Sequence, residues 1–134
     1  MIKSGGYRIG AQDIERACLE LPYIAEAMVS GVTDEEYGQR VGAVLTLKQD
    51  ARQNTTSEQR FLSIDRLRDD LRDKLPGYKL PTLMRVVQGE LEKGPTGKVQ
   101  KKVLGPRYFP VPGWEKDPQV EVWLGRKTSP KAKL

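Results

Sequence analysis

Two short glycine-rich segments carry the basic side chains best placed to do chemistry in this chain. The first is Ser4-Gly5-Gly6-Tyr7-Arg8, preceded by Lys3, and the second is Gly94-Pro95-Thr96-Gly97-Lys98, followed by Val99-Gln100-Lys101-Lys102. A lysine ammonium is a compact charge on a long stem, suited to reach from a loop to a place where negative charge gathers during phosphoryl chemistry. Gly94 and Gly97 let the backbone turn tightly beside Lys98, and Pro95 stiffens the turn so that less entropy is lost in placing the lysine. A nucleoside-triphosphate loop fits poorly. It requires Ser or Thr after the lysine and a glycine five residues before the Gly-Lys pair, and those positions hold Val99 and Glu92. In the first segment, adjacent glycines remove side-chain bulk where something could pass close to the backbone, or simply supply a hairpin turn at positive φ.

The inventory excludes other chemistries. The chain has 134 residues, no histidine and one cysteine, Cys18, so Ser/His/Asp and Cys/His nucleophilic systems and zinc sites built on several Cys or His ligands are absent. Cys18 shares a helical face with Ile14, Ala17 and Leu21, and reads as a small buried hydrophobe rather than a reactive thiol. The carboxylate pairs Asp13/Glu15 and Glu35/Glu36 read as structural. At a helix start such groups oppose the macrodipole, and in a turn they are solvated. The net charge is +5, which suggests nucleic acid, but acidic residues interleave, as in Asp65-Arg66-Leu67-Arg68-Asp69-Asp70, and aromatic stacking platforms do not alternate with the basic cluster. The sequence contains no apolar run long enough to span a bilayer and no N-terminal signal segment.

The elements that must position the glycine segments follow from periodicity. Residues up to Ile9 form a hairpin or loop, and Ala11 to Leu21 an amphipathic helix stopped by Pro22. Ile24 to Val32 and Val41 to Lys48 are strands, with Ala25/Ala27/Val29 and Val41/Ala43/Leu45/Leu47 alternating, joined antiparallel by a turn over Thr33 to Gln39. Gln49 to Arg60 is a polar surface loop. Ser63 is an N-cap for a second helix that places Ile64, Leu67, Leu71 and Leu75 on one side before Pro76-Gly77, and Leu83 to Val87 is a third strand. The expected class is α+β: a small antiparallel sheet of about three strands against two or more helices, an N-terminal hairpin and an irregular C-terminal tail. Beyond Leu104, prolines at 106, 110, 112, 118 and 130 argue against regular elements, although Tyr108, Phe109, Val111 and Trp114 could lie against the domain.

Taken together, Lys3-Ser4-Gly5-Gly6-Tyr7-Arg8 running into Ile9-Gly10-Ala11-Gln12-Asp13-Ile14-Glu15, and Gly94-Pro95-Thr96-Gly97-Lys98 at its distance downstream, resemble the mobile C-terminal lid domain of the AMP-forming acyl-CoA synthetases and adenylate-forming enzymes. The resemblance runs from Ile2 to about Leu104, and gives a domain over 1–104 with a proline-rich extension over 105–134. It implies that a carboxylic acid is activated by ATP to an acyl-adenylate and then transferred to coenzyme A. It assigns Lys98 to adenylate formation, Gly5, Gly6, Tyr7 and Arg8 to the pantetheine channel of the thioester step, and Gly94 and Gly97 to support of the lysine loop. Lys101 and Lys102 become contacts for coenzyme A phosphates, or remain exposed. ATP, with magnesium, would be bound mainly by an N-terminal adenylation domain whose Ser/Thr/Gly-rich phosphate loop this sequence lacks, so the chain alone is expected to be inactive. Its extension departs from the family pattern. Two other readings remain: a stand-alone interaction domain derived from the lid, and a basic nucleic-acid-binding module. The final Ala132-Lys133-Leu134, approached by Lys127 and Lys131, is similar to the C-terminal peroxisomal address. It gives an expectation of peroxisomal import through that receptor, or otherwise a cytoplasmic location.

Overall fold

The computed structural model describes residues 2–4, 6–34, 38–48, 62–87, 89–111, 113–117 and 119–123. Gly5, the Glu35/Glu36 pair, the polar stretch over 49–60 and the terminal Ala132-Lys133-Leu134 lie outside the described residues.

The architecture is α+β, built on one long strand. β1 (Ile2–Ser4) and β2 (Tyr7–Ile9) form the N-terminal hairpin, and α1 (Ala11–Leu19) follows. β3 (Ile24–Asp34) and β4 (Gly38–Leu47) pair antiparallel over their length, with a bulge between Ile24 and Glu26. The other edge of β4 is shared: β1 meets its start at Ser4↔Gly38, and β5 (Leu83–Val86) runs parallel to Gly42–Leu45. A parallel neighbour requires a crossover, which the segment containing α2 (Ile64–Leu71) supplies. α3 spans Lys101–Tyr108, and β6 (Glu121–Val122) pairs antiparallel with β5. Among the described residues the sheet therefore has six strands rather than about three, and it is mixed.

The larger sheet follows from burial on both faces. Val41, Ala43, Leu45 and Leu47, the alternating set, pack with Ile14, Cys18, Leu67 and Leu71 beneath α1 and α2. The opposite face of the same strands, Met28, Val32, Val44 and Leu83, is also buried, under Leu104 of α3 and Phe109, Trp114 and Val120 of the extension. Two hydrophobic layers sandwich the sheet, an arrangement that buries far more apolar surface than one layer could.

Local signals explain most boundaries. The Ser63 hydroxyl accepts from the Arg66 N–H at 3.1 Å, the N-cap bond that starts α2. The α-helix ends at Leu71, short of Leu75, yet the Leu75 N–H still bonds the Leu71 carbonyl at 3.0 Å and Leu75 is buried. α3 continues through Pro106. Proline there withholds the N–H that would bond the Lys102 carbonyl, and Lys102 is exposed, so water can serve that oxygen. Among the described residues between Phe109 and Trp123, the tail is irregular except for a 3-10 turn over Trp114–Lys116 and the short β6.

Candidate functional site

Lys98 stands on a well-defined hairpin. Lys93 and Val99 bridge antiparallel at its base, the Gly94 N–H donates to the Lys98 carbonyl at 2.8 Å, and the Gly97 N–H donates to the Gly94 carbonyl at 2.9 Å. Pro95 occupies the second turn position, whose φ it presets, and Gly97 takes φ +82°, the left-handed residue that closes a three-residue hairpin loop. Gly94 has a different reason to be glycine: a Cβ there would lie 2.3 Å from the Gln100 side-chain nitrogen, which lies across the hairpin. Lys98 itself is exposed.

The neck of this hairpin is fastened by a carboxylate that no motif singles out. Glu26, at the bulge of β3, accepts from the Leu91 N–H at 2.9 Å, the Lys93 ammonium at 2.7 Å and the Thr46 hydroxyl at 3.3 Å. Burial alone would raise its pKa. The bond from Lys93, the Leu91 N–H and the Lys93 charge outweigh that effect and hold the carboxyl below its ordinary value. Leu91 is only 2% exposed. Arg107 of α3 pairs with Glu92 on the same neck.

The other glycine segment is a two-residue loop between Ser4 and Tyr7, which face each other across β1 and β2. Gly6 has φ +89°, and a Cβ placed there meets nothing within 4 Å in this chain. Within the domain, then, backbone conformation rather than lack of space calls for glycine. Tyr7 stacks on Tyr78, with ring centroids 4.2 Å apart and 14° between planes. Beside that pair, Lys79 reaches Asp13 at 3.6 Å. Lys3 and Arg8 are direct cross-strand partners, both exposed. Like charges facing each other across a strand pair repel, and an anion between them would relieve that repulsion.

Of the two lysines at the start of α3, Lys101 is engaged: its ammonium lies 2.7 Å from Glu15, which also accepts the Val29 N–H at 2.8 Å. Glu15 thereby ties α1, β3 and α3 together, and Asp13, in the first turn of α1, faces Lys79. Lys102 is exposed. Cys18 is buried, and burial, with the nearby Glu15, pushes its thiol up to about 12.

The two hairpins are attached near opposite ends of β4. The glycine loop projects past the Ser4↔Gly38 pair, and the lysine hairpin hangs from Glu26, whose partner in β4 is Thr46. Eight steps along a strand correspond to about 26 Å.

Residues 13–98 match the family described as the AMP-binding enzyme C-terminal domain. The chain is 36% identical over 105 residues to malonate–CoA ligase of Arabidopsis thaliana, covering 78% of this chain and 17% of that protein. Among solved structures, a fatty acyl CoA synthetase of Mycobacterium tuberculosis superposes with a TM-score of 0.64 at 30% identity, covering 81% of this chain and 19% of that one. An o-succinylbenzoate CoA synthetase of Bacillus subtilis, bound with a product analogue, gives 0.65 at 27%, covering 90% and 20%. The chain thus spans about a fifth or less of each of these CoA ligases. With a family match over most of its length and the same fold in solved acyl-CoA synthetases, the chain belongs to the AMP-binding enzyme C-terminal domain family.

Proposed function

We propose that this chain is the mobile C-terminal domain of an AMP-forming acid–CoA ligase and serves its two half-reactions with its two hairpins in turn. In the first, a carboxylate oxygen of the acid attacks the α-phosphorus of ATP and pyrophosphate leaves. The Lys98 ammonium, carried on an exposed hairpin, stabilises the negative charge that gathers on the phosphoryl oxygens. A group of this kind is worth roughly 10²–10³ in rate. In the second, the sulfur of coenzyme A attacks the acyl carbonyl, its proton is lost, and AMP leaves. The Gly5-Gly6 loop then lines the pantetheine path, with Tyr7 beside it and Arg8 facing the cofactor's phosphates or the neighbouring domain.

The observation that carries this reading is the attachment of the hairpins near opposite ends of β4. A rigid domain with two working loops so far apart can bring them to one reaction centre only by reorienting. The repulsion between Lys3 and Arg8 supports an anion at the glycine hairpin. The ATP- and acyl-binding surfaces, magnesium and the choice of acid belong to the N-terminal adenylation domain. Exchange of labelled pyrophosphate into ATP tests the division of labour: the chain alone should give background for a panel of carboxylic acids, and the chain joined to its adenylation domain should give exchange with one of them. Exchange by the chain alone would refute it.

A further inference from the structure

We infer that Glu15 and Lys101 form a positioning pair for Lys98, so that Lys101 serves the adenylation half-reaction as a fixed point of the lysine hairpin and not as a contact for coenzyme A phosphates; the inference rests on the role proposed for Lys98. Lys98 is exposed, and its placement depends on how the two limbs of its hairpin are held. The limb before it is held at Leu91 and Lys93 by Glu26. The limb after it runs directly into α3, whose first residue is Lys101, three positions beyond Lys98. There a single oxygen of Glu15, Oε2, lies 2.7 Å from the Lys101 ammonium and accepts the Val29 N–H at 2.8 Å. Val29 is three residues along β3 from Glu26, about 10 Å, so the two carboxylates hold the two limbs from one stretch of the same strand.

The pair is built around the free edge of the sheet. Among the described residues β3 pairs only with β4, and the Val29 N–H lies on its other edge. Glu15 reaches that edge from α1, whose Ile14, Ala17 and Cys18 belong to the first core. Lys101 reaches it from α3, whose Leu104 belongs to the second, and α3 sits close to β3 at the next residue, where a Cβ on Gly105 would lie 3.6 Å from Ser30 Oγ. The electrostatics point the same way. A lysine at the first position of a helix opposes the macrodipole, and the first turn of α3 contains no acidic residue, so Glu15 supplies the negative charge that this helix start lacks. The Glu15 side chain is only 18% exposed, which screens the pair less than an open surface pair. An anion arriving at Lys101 would have to displace a carboxylate already in contact with it.

Backbone order parameters of the full 134-residue chain, labelled with nitrogen-15, test the pair without catalysis. In the wild type the amides of Gly97, Lys98 and Gln100 should be as ordered as those of the sheet, ~0.85. Lys101→Met keeps the stem and removes the charge, and Glu15→Gln keeps an acceptor for Val29; each should lower those three amides toward ~0.6 and leave Leu91, still bonded to Glu26, unchanged. Lys101→Arg should restore the wild-type values. A hairpin that keeps its order in the folded variants overturns the inference, as does a uniform loosening of the chain or an arginine variant as loose as the methionine one. Should one variant fail to fold, the other is judged on the same criteria. In the chain joined to its adenylation domain, Lys101→Met should slow adenylation about tenfold, less than the ~100-fold that an ångström of misplacement can cost, with the KM for coenzyme A unchanged. The double variant with Glu15→Gln should be no slower than the slower single variant, because the two residues act as one unit. Wild-type adenylation with a raised KM for coenzyme A would instead make Lys101 a phosphate contact and overturn the pair. If Lys98→Ala leaves adenylation intact, the role of Lys98 fails while the order parameters still decide whether the pair holds the hairpin.

Discussion

Replacing Glu26 should loosen the neck of the lysine hairpin by an amount that can be worked from its partners. In Glu26→Ala the Leu91 N–H, at a residue 2% exposed, loses its acceptor at a cost of about 1–3 kcal/mol. The Lys93 pair, partly exposed on both sides, is screened by solvent and adds little. The Thr46 hydroxyl adds a neutral-to-charged bond, long at 3.3 Å, whose loss lies at the low end of the hydrogen-bond range, about 0.5 kcal/mol. The expected destabilisation is about 1.5–3.5 kcal/mol in total. Glu26→Gln keeps a carbonyl for Leu91 and gives up the charge, and should cost about 1 kcal/mol or less. Urea unfolding of the 134-residue chain reads both, the alanine variant shifting its midpoint by about 1–2 M for a typical slope of ~2 kcal/mol/M. The pH dependence has a definite sign. The folded carboxyl is held below its ordinary value, so its contribution is present above the unfolded pKa of about 4.3 and is lost as pH falls through the folded value. Wild type and Glu26→Gln should therefore converge in acid. Equal damage from Gln and Ala, or a difference between wild type and Gln that persists at the lowest pH, would refute the assignment of Glu26 as the anchor.

Other parts of the structure give sharper yes-or-no outcomes. Cys18, buried and with its thiol pushed up to about 12, should resist a disulfide reagent at pH 8 in the folded chain and react at the rate of a free thiol once urea unfolds it; rapid reaction without unfolding would contradict its place in the first core. Arg68, pulled down to about 10 by burial yet still charged at neutral pH, donates to the Leu80 and Pro81 carbonyls and stacks on Trp123. Arg68→Ala should cost about 2–4 kcal/mol of unfolding free energy and quench-shift the Trp123 fluorescence, whereas a loss below about 0.5 kcal/mol would mean that the stack is incidental.

Much of the first core was legible in sequence because its signals are local. The alternation of Val41, Ala43, Leu45 and Leu47, the face shared by Ile14, Ala17 and Cys18, and the Ser63 cap each depend on residues a few positions apart. The second core was legible only in part. Its members Met28, Val32 and Val44 occupy the strand positions between the alternating ones, and their cover comes from Phe109, Trp114 and Val120, in a stretch whose prolines advertise irregularity. Irregular backbone can still bury large aromatic side chains: Phe109 and Trp114, expected to lie against the domain, are buried there, whereas Val111 is exposed. The parallel placement of β5 depends on a crossover, a relation between distant segments. Glu26 and Glu15 were hidden for a related reason: their partners, Leu91 with Lys93, and Lys101, are 65 and more residues away. The two glycine hairpins, by contrast, announced themselves by composition, and Gly6 and Gly97 both adopt the positive φ that such turns favour.

The most direct test of the central claim measures both half-reactions in a complete enzyme carrying this domain, for Lys98→Ala and Gly6→Leu side by side. Lys98→Ala should slow adenylation by on the order of a hundredfold and leave acyl-CoA formation from supplied acyl-adenylate near the wild-type rate. Gly6→Leu should do the reverse. Because Gly6 sits at φ +89° with open space around it in this chain, Gly6→Ala carries nearly the same backbone strain with little bulk and separates strain from obstruction. A crossed pair of losses, with Gly6→Ala much milder than Gly6→Leu, is the predicted result. Equal loss of both half-reactions in Lys98→Ala, or wild-type thioester formation in a folded Gly6→Leu, would contradict the two-hairpin account.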